Sequence, residues 1–207
     1  MIPLDTLTTF AAAAFLLALA PGPDNIFVLT QSALNGAWAG VIVVLGLCSG
    51  LIVHSLAVAL GVAALVQTSA LAFSALKIVG AACLVYLAYQ AFRAPAQTIR
   101  GGAGAPGAGA LYRRGLIMNI TDPKVAIFFL AFFPQFTDPS RGAMIGQIAL
   151  LGAVFMAVTF PVFSGIALVA GGLSRWLTES VRAQLWMNRI AGLVFLGLAG
   201  KIALSDR

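Results

Sequence analysis

Long apolar runs set off by short polar turns divide this chain into six segments, each able to supply the roughly 20 helical residues that cross a hydrocarbon core about 30 Å thick. The first runs from Leu4 to about Leu34, roughly 45 Å as one continuous helix and longer than a single crossing, and it carries Pro21 and Pro23 in its interior. A turn at Asn35-Gly36 leads to a second run from Trp38 to Val66, bent or tilted at its glycines, and a turn at Gln67-Thr68-Ser69 leads to a third from about Ala70 to Phe92. Residues 94–111 are rich in Gly, Ala and Pro and read as a flexible linker. The fourth run extends from about Tyr112 to Phe136 with Asp122-Pro123 inside it. A polar turn from Thr137 to Gly142 follows, then a fifth run from Ala143 to Leu173 with Pro161 as a kink. The polar stretch Ser174 to Arg182 precedes the sixth run, about Leu185 to Leu204.

Two of these runs are interrupted in the same way. Pro21-Gly22-Pro23-Asp24-Asn25 and Asn119-Ile120-Thr121-Asp122-Pro123-Lys124 place prolines and charges at membrane depth. Proline has no backbone N–H and obstructs the carbonyl one turn back, so each stretch breaks its helix and frees polar backbone groups. Such groups persist in a membrane only where they are buried in protein or face a wet cavity. Unpaired, Asp24, Asp122 and Lys124 would together cost about 8 to 10 kcal/mol at the bilayer centre.

Composition agrees with a membrane protein: of 207 residues, 61% are hydrophobic and only 9% charged. The formal charge of +6 raises the possibility of nucleic acid, but the basic residues stand singly or in pairs beside the ends of apolar runs, where topology explains them. The N-terminal run lacks the positive leader of a signal peptide, since Asp5 is its one charge, and it reads as a retained first span.

An offset of 100 residues lays Pro123 on Pro23 and Lys124 on Asp24, and each half then holds a broken span, a long span and a plainer span. Three crossings is an odd number, so the two copies insert in opposite orientations. The expected fold is therefore an all-α polytopic membrane protein of six transmembrane helices, arranged as two inverted three-helix repeats with broken first and fourth helices. It forms a single domain, with repeat one about 1–93, the linker 94–111, and repeat two about 112–207. Arg93, Arg100, Arg113, Arg114, Arg175, Arg182 and Arg189 fall on one side, which is then cytoplasmic, with both termini outside. Trp38, Tyr86, Tyr89, Tyr112, Trp176 and Trp186 fall near the same interface.

Asp24 and Lys124, opposite in charge at equivalent positions, suit a zwitterionic solute. Its ammonium would go to Asp24 or Asp122, and its carboxylate to Lys124 and a half-helix N-terminus, with Asn25 and Asn119 adding neutral donors and acceptors. These groups would equally serve to neutralise one another and hold the breaks in register. A carboxylate that alternates between a proton and the substrate ammonium meets the minimum for proton antiport, and Asp24 and Asp122 are the candidates. His54, the single histidine, is a third proton-coupling candidate, or else a ring hydrogen-bonded within the bundle.

At these residues the chain resembles the LysE/RhtB family of amino-acid exporters over nearly its full length. The resemblance rests on Pro21-Gly22-Pro23-Asp24-Asn25, the glycine-bearing span with His54, Gly115-Leu-Ile-Met-Asn119-Ile-Thr-Asp122-Pro123-Lys124, and Phe132-Phe133-Pro134-Gln135-Phe136. It implies a small secondary transporter of the cytoplasmic (inner) membrane, exporting amino acids or their derivatives with the proton gradient and using no cofactor. It also implies that Pro21, Gly22, Pro23, Asp24, Asn25, Asn119, Pro123 and Lys124 carry the central functional positions. Many members have Asn where this chain has Asp122, which leaves cationic amino acids open as substrates.

Two other functions are weighed against export of amino acids. Cation or metal efflux lacks the Cys, Met and His groups that soft metals prefer at mid-membrane. Intramembrane thiol redox chemistry would need Cys48 and Cys83, which have no C-x-x-C spacing and do not align in the repeat. Small-residue faces at Gly46-x-x-x-Gly50, Gly36-x-x-x-Gly40 and along Gly192, Gly197 and Gly200 serve close helix approach, within one chain or between copies in a homo-oligomer.

Overall fold

The computed structural model describes residues 2–19, 22–68, 70–93 and 106–204, which are helical except at short joints, with no strand among them. In chain order the helices are α1 (Leu4–Leu19), α2 (Pro23–Asn35), α3 (Ala37–Thr68), α4 (Ala70–Arg93), α5 (Ala108–Thr121), α6 (Pro123–Phe132), α7 (Met144–Glu179) and α8 (Val181–Leu204). The expected breaks are present: α1 and α2 meet at 58°, and α5 and the segment that α6 begins meet at 54°. Each new helix starts at a proline, Pro23 or Pro123, whose missing N–H falls where a helix has no use for one. The residue before each is extended, Gly22 at φ −159° and Asp122 at φ −73°, ψ 108°, as the proline ring demands of its predecessor. Pro21 lies outside the described residues, as does most of the expected linker.

Some boundaries differ from expectation. Helix α5 starts at Ala108 instead of 112, because the Leu111 side chain is buried in the core and anchors an extra turn. The polar stretch Ser174 to Arg182 is helical except at Ser180, since it contains no Gly or Pro to end the helix. Helix α7 continues through Pro161 as one element of 36 residues. Ala37–Gly61 and Met144–Ala170 are each long and apolar enough to cross a membrane, and counting each bent pair as one span gives up to four candidate spans among the described residues.

Helix α3 is the hub and packs on α2, α5 and α7, while α4 packs on α8 and α1 on α7. Helices α3 and α7 run antiparallel: Gly40 faces Ala167 at one end of their seam and Ser55 faces Gly152 at the other. The apolar side chains form two separate clusters. One joins α2, α5, the N-terminal half of α3 and Phe163 and Ala167 of α7. The other joins α1, α4, α6, α8, Leu51 and Val58 of α3, and Ile148, Leu151 and Phe155 of α7. In the second cluster seven rings, Phe10, Phe128, Phe129, Phe132, Phe133, Phe136 and Phe155, lie in mutual contact, with Phe129 and Phe133 stacked at 4.1 Å. The two clusters adjoin along α3 between Leu47 and Leu51, where Gly50 lies against Asn119 of the second break, and Asp24, Asn25, Asn119 and Asp122 form a buried polar layer there.

The turn after α6 is itself folded. The buried amide of Gln147 accepts from the Asp138 backbone N–H at 2.9 Å and donates to the Asp138 and Gly142 carbonyls. Asp138 in turn accepts from the Ser140 backbone and hydroxyl and pairs with Arg141 at 3.0 Å.

Candidate functional site

Breaking a helix orphans carbonyls, and the site is built from the side chains that answer them. The Ala18 carbonyl would take the N–H of Gly22, but Gly22 is extended. The Asn25 side-chain nitrogen donates to it instead at 2.8 Å, tying the start of α2 to the last turn of α1. In the second break the Asn119 carbonyl has Pro123 four residues on, with no N–H to offer. It accepts from the Asp122 backbone N–H at 3.2 Å and from His54 Nε2 at 3.1 Å. A carbonyl only accepts, so Nε2 carries the proton. Asp122 closes the joint as the N-cap of α6, its Oδ1 accepting from the Lys124 backbone N–H at 2.8 Å.

The two breaks are then joined to each other. Asn119 Nδ2 donates to Asp24 Oδ2 across 3.4 Å, linking residues 95 apart in sequence. Asn119 reaches this position because α3 offers no side chain at Gly50, where a Cβ would meet the Asn119 amide. Asp24, Asn25, Asn119 and Asp122 are all buried, with Asp24 and Asn119 only 2% exposed. Each has one polar end fixed by the scaffold and one buried oxygen with no partner: Asp24 Oδ1, Asn25 Oδ1, Asn119 Oδ1 and Asp122 Oδ2.

The charges approach one another without direct pairing. Asp122 and Lys124 lie within electrostatic reach of Asp24, yet no ion pair joins Lys124 to either carboxylate, and Lys124 is half-buried. Two carboxylates and one lysine give this region a formal charge of −1. The structure thus brings together Asp24, Asn119, His54, Asp122 and the Lys124 backbone, places Gly22, Pro23 and Pro123 at the bends, and turns Asn25 toward α1. Gly50 was missed in this role; its signal was the pairing of a mid-span glycine with an amide on a neighbouring helix. Cys48 is a free, half-buried thiol, while the Cys83 side chain lies outside the described residues.

The role of His54 yields a direct test. His54→Leu is expected to lower stability by about 1 to 2 kcal/mol, because it withdraws a donor from a buried carbonyl. His54→Gln retains a donor and should recover part of the loss. The midpoint of thermal unfolding in detergent checks both variants.

Known proteins are similar to this chain over almost all its length. It is 33% identical to a homoserine/homoserine lactone efflux protein of Salmonella typhimurium over 193 residues, 93% of this chain and 92% of that one. A protein of the same description from Salmonella typhi is 32% identical over 193 residues, with the same coverage. An uncharacterised membrane protein of Vibrio cholerae is 34% identical over 185 residues, 89% of each chain. No solved structure matches. Residues 15–206, which include both breaks and every residue of the buried polar layer, match the family model of the LysE type translocators, so the chain belongs to that family and is a multi-pass membrane transporter, not an enzyme.

Proposed function

We propose that this protein exports amino acids or close derivatives from the cytoplasm across the cytoplasmic membrane, by exchange for protons. The observation that carries the reading is the set of four unpaired buried oxygens at the two breaks. The amide nitrogens beside them each spend one N–H within the protein, on the Ala18 carbonyl and on Asp24, so the wholly unpartnered atoms are acceptors. A buried acceptor without a donor is unfavourable by about 1 to 3 kcal/mol, and an ammonium group with three N–H donors relieves several at once. Lys124 is available for a carboxylate.

The charge of the site supports coupling. With two carboxylates against one lysine, the empty site takes one positive charge, which either a proton or a substrate ammonium supplies. Asp24 and Asp122 are the exchange groups, and His54 serves by holding the Asn119 carbonyl that positions them. The two Salmonella relatives are named for homoserine and its lactone; the lactone, a cationic amine without a carboxylate, supplies the one positive charge, while homoserine brings its ammonium together with a carboxylate for Lys124.

The architecture we assign is six spans in two inverted repeats. It is supported by the antiparallel α3 and α7, by the packing of α4 on α8, and by the α3–α5 contact with its counterpart between α7 and α1. The linker then lies in the cytoplasm and both termini outside. Arg93 stacked over Tyr89 and Arg114 over Phe27 are consistent with basic residues anchored at that face.

The test uses purified protein in proteoliposomes loaded with a mixed amino-acid pool, L-homoserine and L-homoserine lactone, with and without an imposed pH gradient. Selective loss of a few amines, accelerated by the gradient, is expected. Equal retention in protein-free vesicles and in vesicles holding the protein would rule out the assignment, and loss indifferent to the gradient would remove the proton from it.

A further inference from the structure

Hydroxyls inside helices ordinarily bond back to a carbonyl one turn earlier, and here Thr30, Ser49 and Thr121 do so, to Ile26, Leu45 and Ile117. Thr159 on α7 does not. Its Oγ1 is buried with no partner, and the residue is 3% exposed. The buried hydroxyls of Ser32 and Ser55 are also unpaired, but each is seated in a notch where a glycine of the facing helix, Gly40 or Gly152, has no side chain. Close packing accounts for those two and leaves two hydroxyls of α7, Thr159 and Ser164, of which Thr159 belongs to a buried residue and Ser164 to a half-buried one.

Two routes through the structure place Thr159 at the level of the breaks. On α2 and α7, Ser32 and Ala167 meet at Gly40, and Val28 and Phe163 share one core cluster. Stepping back four residues once more on each helix, along the same face, reaches Asp24 and Thr159. The second route follows α3. Gly40 faces Ala167 and Ser55 faces Gly152, so Gly50, the seat of Asn119, lies level with residues near 157 on α7. Thr159 is about one half-turn from there.

We infer that Thr159 contacts the transported amino acid, as the contribution of α7 to the site, and that its hydroxyl donates to an oxygen of the substrate. The inference rests on the amino-acid export proposed above. The wholly unpartnered side-chain atoms of Asp24, Asn25, Asn119 and Asp122 are all oxygens, so donors for an oxygen on the substrate are few: the second N–H of each Asn amide, Lys124 and Thr159. A threonine side chain is restricted at χ1, which holds its hydroxyl in place before the ligand arrives.

The experiment compares wild type, Thr159→Val and Thr159→Ser in proteoliposomes with labelled L-homoserine. Thr159→Val keeps the shape and removes the hydroxyl, so the apparent KM should rise about tenfold or more with the maximal rate changed less than about twofold, and Thr159→Ser should stay within about twofold of wild type. An unchanged KM in Thr159→Val, or equal losses of maximal rate in both variants, overturns the assignment while leaving export intact. A wild type that moves neither L-homoserine nor any other amino acid removes the transport reading and this one together. A second measurement does not depend on turnover. Thr159→Cys in a Cys48→Ala, Cys83→Ala background should react with a small methanethiosulfonate reagent, at a rate slowed several-fold by L-homoserine. No reaction, or no protection, also overturns it.

Discussion

Asp24→Asn is expected to lower net transport about a hundredfold and leave the protein folded. The substitution keeps an oxygen that can accept from Asn119 Nδ2, so the 3.4 Å link between the two breaks survives. What it removes is the charge. The site goes from −1 to neutral and no longer attracts a proton or a substrate ammonium, and losing one side of a buried charged hydrogen bond is worth about 2 to 5 kcal/mol. Efflux from proteoliposomes, measured beside the elution profile and unfolding midpoint of the same preparation, separates lost function from lost fold. Asp122→Asn is the companion, because that Asn can still cap α6 through its side-chain oxygen. If both single variants transported with the full pH-gradient dependence of wild type, neither carboxylate would be the exchange group.

The second large effect concerns fold. Gly46→Val should leave little or no folded protein, with a destabilisation of at least about 3 kcal/mol. A Cβ at Gly46 would run into the Tyr112 carbonyl and lie 2.9 Å from the Leu116 nitrogen, and one at Gly115 would lie 2.5 Å from the Val43 carbonyl. Backbone stands on both sides of these contacts, so no side chain can rotate away, and α3 and α5 must separate. That movement also draws Gly50 from Asn119, and Asn119 from Asp24. Gly61→Ala is the control: nothing lies within 4 Å of the added carbon, and the exchange favours the helix by up to about 1 kcal/mol. The yield of monodisperse protein and the unfolding midpoint should diverge sharply between the two variants.

The parts of this structure that were legible in the sequence are those that follow from covalent chemistry. Pro23 and Pro123 have no N–H in any fold, so the two bends could be located before any contact was known. Gly46 and Gly50, read as a face for close approach, are where α5 comes against α3. The site residues at the breaks were legible for a related reason, since carboxylates and amides at membrane depth must be answered by something. Their individual partners were not. Nothing local says that His54, 65 residues from Asn119, supplies the donor that Pro123 lacks, or that Asn25 spends its amide nitrogen on Ala18. Those bonds depend on which carbonyl the tertiary packing brings near. The repeat alignment put Asp24 and Lys124, opposite in charge, at equivalent positions, and in the fold Asp24 is bonded to Asn119 and not to the lysine. Thr159 carried no signal, because a threonine in an apolar helix ordinarily satisfies itself.

The two apolar clusters are held together by different kinds of contact, and this bears on their mechanical compliance. Around α3 and α5, backbone rests against backbone at Gly46 and Gly115, a seat with no slack, in which a small displacement either meets hard repulsion or loses the fit. Around α6, phenylalanine rings lean on one another at centroid distances between 4.1 and 6.4 Å in stacked, tilted and edge-on pairs, side-chain contacts with several favourable geometries. Under the same force the ring-filled half is the more yielding and the glycine-seated half the more rigid, so a molecule squeezed at the polar layer between them deforms unequally, toward the phenylalanines.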